Sequence, residues 1–553
     1  MNQIYRVKGG AVTAIMLSAI ASIALAQDQN PPDQTLRATS RLVEVSVVVH
    51  DLKGAPVRDL TRDDFTVLDQ GKQREIAVFQ VAANQTEPST LATSHPLVLN
   101  NRSLAQTERP TAVTVILFDA LNLRSNDDAI YAKRELPKFL KTLHPGDPVA
   151  IYSLEGPTVR VLHDFSDDPQ SLIHSTERSS GIISQWLSSP ADYSTNLSSE
   201  KRIRIEWTLS GLESIAQHIA AVPGRKTLVW ISSAFPLTVG FDSTESVSGG
   251  GQTPSGVSAA NAHAGDLEPY RERLLRLARV FNNIDLAVYP VDPSGLMVDR
   301  TYTASNNAGG IVNISEVHVP SRLQTVGEIT SGEIATMNLI AAETGGLPFY
   351  NANALGESIA RAVDDAKITY VLGFYPDKAS WDGASHQLKI LVNRSGVEVR
   401  ARRSYFAGDA PEESEPARDI ALKIAAASAL SGTAIGVTVN VASNPLEQGR
   451  QQIDVSVDPH DVRFVSEGGK WHADFDLILV QKAPDGRIVT GERSRCVLDR
   501  ESYEESQSTA LSFHRDVAIS DKASSFEVLV RDSSNGATGS LAIPIALKTA
   551  SMK

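Results

Sequence analysis

One unbroken apolar run, Val113–Phe118, dominates the hydrophobic pattern; it ends in Asp119 and a turn whose next polar residue is Asn122. A run with no polar side suits a strand covered on both faces of a parallel sheet. Asp119 then stands at the carboxyl end of that strand, where open α/β sheets place their binding crevice. Ser125 opens an amphipathic helix through about Leu143, with Ile130, Leu136, Phe139, Leu140 and Leu143 facing inward and His144-Pro-Gly-Asp as its stop signal. Two apolar runs follow, 148–154 and 158–165, and the link Glu155-Gly156-Pro157 is too short for a parallel crossover, so they are read as antiparallel neighbours. Lys226–Ser232, Ile284–Val291 and Ile368–Tyr375 are read as further buried strands, alternating with helical patterns over 167–222, 267–281, 334–343 and 355–366. This alternation over 111–375 predicts an α/β fold class, a doubly wound and mostly parallel sheet, with loop insertions near 241–265 and 298–332.

The flanks have a different period. Residues 41–81 alternate in short runs around the turn Asp69-Gln70-Gly71 and predict a small N-terminal β module, with Thr61 capping one helical turn before Phe65. Residues 82–110 read as a linker, 376–407 as a β-hairpin extension across Arg394-Ser395-Gly396, and 408–417 as an acidic hinge. Residues 418–553 hold several alternating runs and predict a C-terminal β-sandwich.

Ahead of all this, Arg6 and Lys8 precede an apolar core, 11–25, and the small-x-small triplet Ala24-Leu25-Ala26, which predicts a signal peptide over 1–26 cleaved near Ala26/Gln27, followed by a linker, 27–40. That apolar run is shorter than a spanning helix, so no transmembrane helix is expected in the mature chain, and its expected location is extracytoplasmic: periplasm, cell surface or secreted. Removing 1–26 moves the formal charge from −13 to −15. Such an acidic balance argues against a nucleic-acid partner. Cys496 is the single cysteine, so no internal disulfide forms.

Motifs for catalysis are missing where they would be needed. The chain has no Gly-x-Ser-x-Gly elbow and no His-Glu-x-x-His, and Asp119-Ala-Leu-Asn122 occupies the place of a dinucleotide-binding glycine turn. The glycine-rich GGGQTPSG lacks the Lys-Ser/Thr ending of a phosphate loop. His163-Asp164 and His460-Asp461 are read as strand-end polar pairs, and a two-carboxylate glycosidase has no positive signal.

Taken together, VVVHDLKGAPVRDLTRDDFTVLDQGKQREIAVF, VTVILFDALN, PGRKTLVWIS with IDLAVYPVDPSG, and AAETGGLPFYN followed by ITYVLGFYPD and VEVRARRSYF resemble the VWFA-related domain proteins of the acidobacterial type. Those are exported chains that couple a von Willebrand factor type A domain to β modules, and the resemblance covers most of 41–407. It implies a protein-binding face at the top of the sheet and a metal held by Asp-x-Ser-x-Ser, a later Thr and an Asp after the fourth strand. Hard oxygen ligands of that kind suit Mg²⁺ or Mn²⁺. Asp119 matches the first metal position; Leu121 and Leu123 stand at both Ser positions, and Ser232-Ser233 replaces the expected acidic turn, so the metal site is degenerate. The ligand-binding rim expected from strand ends is Asp119, Asn122, Ser232, Ser233, Asp292 and Ser294. The function expected is that of an exported, noncatalytic protein-binding protein of adhesion type with an unidentified protein partner. The alternatives are an extracytoplasmic hydrolase on the same scaffold and a structural component of the cell envelope.

Overall fold

The computed structural model describes residues 3–6, 42–83, 99–102, 112–178, 199–235, 264–294, 334–350, 355–377, 384–407, 413–443 and 449–545, less 124, 145–146, 234, 335, 366, 468 and 509–510. The apolar stretch 11–25, the cleavage site Ala26/Gln27, the linker 27–40, and the insertions over 241–263 and 298–332 lie outside these residues. No described helix is long and apolar enough to cross a membrane.

In chain order the strands are β1 (Gln3–Arg6), β2 (Val43–Asp51), β3 (Phe65–Asp69), β4 (Lys72–Arg74), β5 (Ile76–Ala83), β6 (Leu99–Asn100), β7 (Ala112–Asp119), β8 (Val149–Leu154), β9 (Val159–Ser166), β10 (Arg225–Ile231) and β11 (Leu286–Val291). They continue as β12 (Ile368–Phe374), β13 (Ser385–Val392), β14 (Val397–Arg400), β15 (Ser404–Phe406), β16 (Val437–Ser443), β17 (Arg450–Val457), β18 (Val465–Glu467), β19 (Lys470–Lys482), β20 (Ile488–Arg500), β21 (Leu511–Ala518), β22 (Ser525–Asp532) and β23 (Thr538–Pro544). The helices used below are α1 (Asn126–Leu140), α2 (Pro169–Arg178), α3 (Ser199–Ile219), α4 (Ala264–Asn283), α5 (Leu355–Asp365) and α6 (Glu415–Ala427).

The expected fold class is overturned. Strand outweighs helix, 44% to 27%, and most sheets are antiparallel, so the chain is a mostly β protein rather than a doubly wound α/β one. Among the described residues, parallel pairing is found for β1 on the edge of β20 and in one five-stranded mixed sheet, β11-β10-β7-β8-β9, whose last pair is antiparallel and whose β11 edge carries one further parallel bridge, Val291 to Phe349. Its central strand is β7, buried at every position. Val115 and Leu117 face a core shared with α3 and α4, while Ile116 and Phe118 face a core shared with α1 and α5. Ile130, expected on the inner stripe of α1, is 61% exposed; Ala129, Ala132, Leu136 and Phe139 take that role.

The decisive difference lies in the apolar run over 368–375. It does not join the mixed sheet. β12 pairs antiparallel with β2 on one side and β5 on the other, in the four-stranded sheet β14-β2-β12-β5. The expected hairpin over 376–407 is not one either: β14 pairs with β2, and β13 pairs with β3 and β15, giving a second sheet β15-β13-β3-β4. Val45, Val47, Phe65, Val67, Tyr370, Leu372 and Phe374 fill the core between these two sheets. An apolar run is compatible with either surrounding because period alone does not separate a parallel core strand from the middle of a two-layer antiparallel module.

The module is fastened to the mixed sheet through buried polar groups. Asp365, ending α5, receives Arg400 Nη1 from β14, Tyr289 Oη at 3.0 Å from β11 and His50 Nε2 at 3.3 Å from β2. Burial pulls the His50 pKa below its usual value, against the pull of the Asp365 carboxylate. Beyond the hinge, α6 covers one face of the sheet β1-β20-β19-β22-β23, with Arg418 Nε donating to Asp476 Oδ2 at 2.6 Å. That sheet shares a core with β21-β17-β16-β6, and β6 comes from the stretch expected to be a linker.

Tyr370 is the test of this discontinuous assembly. Fully buried, it packs on Phe65 with ring centroids 5.1 Å apart, and its hydroxyl donates to the Val57 carbonyl at 2.9 Å. Tyr370→Ala is expected to cost about 3–5 kcal/mol and to raise amide exchange across Val43–Ala83 while β7 stays protected. Unchanged exchange in Val43–Ala83 would mean that the N-terminal residues fold without β12.

Candidate functional site

The side-chain period of two places Val115, Leu117 and Asp119 on one face of β7. The parallel register sets Trp230 beside Leu117 and Ile231 beside Phe118, so Ser232 follows next to Asp119. Asp119 is fully buried on the face covered by α3. Its Oδ2 accepts three hydrogen bonds: Asn122 Nδ2 at 2.7 Å, Trp230 Nε1 at 2.9 Å and Ser232 Oγ at 3.1 Å. Asn122 Nδ2 also donates to Thr208 Oγ1 at 2.8 Å, and Arg204 Nη2 reaches Asn122 Oδ1 at 3.3 Å. Asp119 Oδ1 is buried with no hydrogen-bond partner among the described residues. Burial pushes the carboxyl pKa up, against the pull of these donors and the Arg204 charge.

A second cluster forms around Asp128 in the first turn of α1. Ser125, the N-cap, donates from Oγ to Asp128 Oδ1 at 2.8 Å and accepts from the Asp128 N–H at 3.2 Å. Asp128 Oδ2 takes Ser233 Oγ at 2.8 Å and Ser294 Oγ at 3.2 Å, so three serines that follow β7, β10 and β11 meet on one carboxylate. The Ser294 N–H donates to Asp292 Oδ1 at 2.9 Å, and the Asp292 N–H donates to the Phe349 carbonyl at 2.9 Å. Beside it, burial and the Asp292 charge hold the Tyr350 phenol well above its usual pKa.

The six expected rim residues are therefore brought to one end of the mixed sheet but divided between two networks. Asp119, Asn122 and Ser232 form the first; Ser233 and Ser294 join through Asp128, with Asp292 one bond further. Five of the six are buried, and only Ser294 is partly exposed. Trp230, Asp128, Thr208 and Arg204 were not singled out by their sequence. Ser125 and Asp128 carry a readable signal, an acceptor at the cap with an acid three residues on. Trp230 sits in an apolar run and reads there as core.

These groups do not fit a magnesium or manganese ion. The indole N–H beside Asp119 has no lone pair to offer, and an ion on Oδ2 displaces three hydrogen bonds. Leu123 is buried and Leu121 packs against the core, so both Ser positions of the implied motif contribute hydrocarbon. No group of three or more His, Cys, Asp or Glu among the described residues is arranged to hold a metal. His163 is likewise engaged locally, with Nε2 2.6 Å from Ser171 Oγ, and His460 Nδ1 lies 2.9 Å from Asp458. The Cys496 thiol is buried and pushed up to about 11.

A scan against family models gave no match, and a search of curated proteins gave none.

Asp119→Ala strands three buried donors and is expected to lose on the order of 3 kcal/mol in urea unfolding, while millimolar Mg²⁺ or Mn²⁺ leaves the wild-type thermal midpoint unchanged. A midpoint that rises with metal, and does so only when Asp119 is present, contradicts this. Burial raises the Asp119 pKa in the folded state above the 3.8 of an ordinary aspartate, so between the two values the unfolded chain binds fewer protons. The contribution of this group to stability is fullest below 3.8 and declines as pH rises through the folded value. Stability measured against pH in wild type and Asp119→Asn should diverge in the variant's favour toward neutrality; parallel curves would place the carboxyl at an ordinary pKa.

Proposed function

We propose that this chain is an exported, noncatalytic binding protein of adhesion type, in which the end of the mixed sheet carrying Asp119, Asn122, Ser232, Ser233, Asp292 and Ser294 holds a protein-contacting surface in place. The observation that supports this reading is the internal engagement of the strand-end polar groups. Asp119 and Asp128 together take hydrogen bonds from one amide, one indole and four hydroxyls, so each chain segment leaving β7, β10 and β11 is tied to its neighbour. A carboxylate committed in this way fixes the directions in which loops depart, which is the requirement for a preorganised contact surface. A buried carboxylate sharing one oxygen among three donors is also poorly placed as a general base, which needs an open path to a substrate proton. The basic, apolar and small-residue pattern of the first 26 residues supports export. Cleavage at Ala26 also removes β1 from the edge of β20.

The reading is tested at Ser294, the partly exposed member of the group. A photo-crosslinking amino acid placed there in the producing cells should capture one protein species that is missed from the same probe at Leu52, which is 84% exposed in a turn of the β module. N-terminal sequencing of protein recovered outside the cytoplasm should begin at Gln27. Capture patterns that do not differ between the two positions oppose the contact surface. Hydrolysis of a generic ester, peptide or glycoside that is lost on changing a residue named here favours an enzyme.

A further inference from the structure

Aspartate–proline bonds occur in the chain at 147–148, 168–169, 292–293 and 458–459. A peptide bond to proline is a tertiary amide, and its nitrogen, which carries no N–H, leaves more readily than that of an ordinary peptide once it is protonated. An aspartate before it sets a carboxylate one five-membered ring away from its own carbonyl carbon, an intramolecular nucleophile at high effective concentration. The residue after the proline is Val149, Gln170, Ser294 and His460 in turn, so only the fourth bond has an ionisable side chain there.

Asp458 directly follows β17 and is fixed on several sides. Its N–H donates to the Gly436 carbonyl at 3.0 Å, and its own carbonyl accepts from the Asp461 N–H at 3.3 Å, which closes a turn with Pro459 at the second position. Asp458 Oδ1 accepts from the His460 N–H at 3.0 Å and lies 2.9 Å from His460 Nδ1. Asp168 and Asp292 take the same backbone bond from Gln170 and Ser294, at 3.0 Å and 2.9 Å, without an imidazole on that residue. Asp147 lies 3.9 Å from His144 Nδ1, beyond hydrogen-bond reach. Behind the turn, Asp461 Oδ2 is held by Arg102 Nη2 at 2.9 Å and by the Gly436 N–H at 2.8 Å. Gly436 permits this approach, since a Cβ there meets the Asp458 Cβ at 3.3 Å and Asp461 Oδ2 at 3.2 Å. From β22, Asp532 accepts the Arg463 N–H at 2.8 Å, so the charged groups around the turn among the described residues include His460, Asp461, Arg102 and Asp532. Pro459 is buried, whereas the Asp458 and His460 side chains are 43% and 68% exposed, and water reaches both. Burial works against it, yet the N–H and ring of His460 and the Arg102 charge hold the Asp458 carboxyl below its usual pKa.

We propose that the folded chain severs its own backbone between Asp458 and Pro459. A carboxylate oxygen of Asp458 bonds to the Asp458 carbonyl carbon, the bond from that carbon to the Pro459 nitrogen breaks, and its electron pair leaves on the nitrogen, which takes the proton of a His460 imidazolium. Charge that develops on the carbonyl oxygen faces the Asp461 N–H. Water then opens the cyclic anhydride and leaves a carboxyl-terminal Asp458 and an amino-terminal Pro459; it is the one reactant consumed. Imidazolium is the form that a histidine takes in mild acid, where a hydrogen-bonded carboxylate stays ionised, so the reaction runs fastest there. The two pieces remain together. β17 ends the first and pairs along its length with β21 of the second, and Val437, Ile453 and Val455 share a core with Phe475, Val528 and Val530. Cleavage of this kind is a single event on the chain itself and is independent of the strand-end reading; either can fail without the other.

Incubation of the purified full chain at about pH 5 and about pH 8, followed by intact-mass measurement, tests it. Two fragments are expected, one ending at Asp458 and one beginning at Pro459, formed faster in acid and at a rate independent of protein concentration. They should separate on a denaturing gel and co-elute on gel filtration. Asp458→Ala should abolish them. His460→Gln, at an exposed side chain whose backbone bond is kept, should slow them about a hundredfold, the lower reach of a positioned general acid, without moving the thermal midpoint. In urea the same bond should break no faster than the other Asp–Pro bonds. A folded chain that stays intact in acid, cleavage at the other Asp–Pro bonds at the same rate, a rate unaltered in His460→Gln, or a rate that grows with protein concentration overturns the proposal.

Discussion

The backbone of β12 needs hydrogen-bond partners on both sides, and it finds them in β2 and β5, far back in the chain. The rest of the architecture follows from that pairing. Everything from Ala112 to Asp365 becomes an insertion into a β module whose two halves meet only after the mixed sheet has been traversed. The buried cluster at Asp365, with Arg400, Tyr289 and His50, fixes the insertion against its host. Removing one member of such a cluster leaves an uncompensated charge away from water, so the junction has little freedom to slide.

Within the insertion the mixed sheet brings the ends of β7, β10 and β11 side by side, and two carboxylates hold them there. Asp119 and Asp128 lie on opposite faces of the sheet and gather donors from loops that are remote in sequence. A buried carboxylate is costly unless its oxygens are engaged; at Asp119 three donors on one oxygen offset part of that cost, while the other oxygen has no partner among the described residues and burial keeps the pKa raised. That arrangement suits a fastening more than a metal centre. The carboxylate of Asp458 has the opposite character: it stands at a turn open to water, with an imidazole nitrogen 2.9 Å from it.

Local pattern reaches some of this and stops at a definable point. The unbroken run of β7, the cap at Ser125 and the short link between β8 and β9 are written in adjacent residues, because burial on both faces, a capping acceptor and a tight connection each leave a mark within a few positions. Ile130 shows the margin of that reading: its spacing suits the inner stripe of α1, yet it is exposed while the small Ala129 and Ala132 are buried against the sheet. The donors on Asp119 leave no such mark. Trp230 is indistinguishable from core until the register of β10 against β7 aims its N–H at a carboxylate.

By itself, then, the sequence determined which segments are buried strands and amphipathic helices, and that polar residues close β7, β10 and β11. Only the tertiary structure decided which strands pair. It drew Ile368–Phe374 out of the expected α/β sheet and into an antiparallel one, split the strand-end residues between two faces, and set Arg102 and Gly436 against the turn that follows Asp458. The physical reason is that apolar periodicity encodes the surroundings of a residue, whereas the choice among several equally apolar edges rests on packing and hydrogen bonding between segments that no local pattern connects.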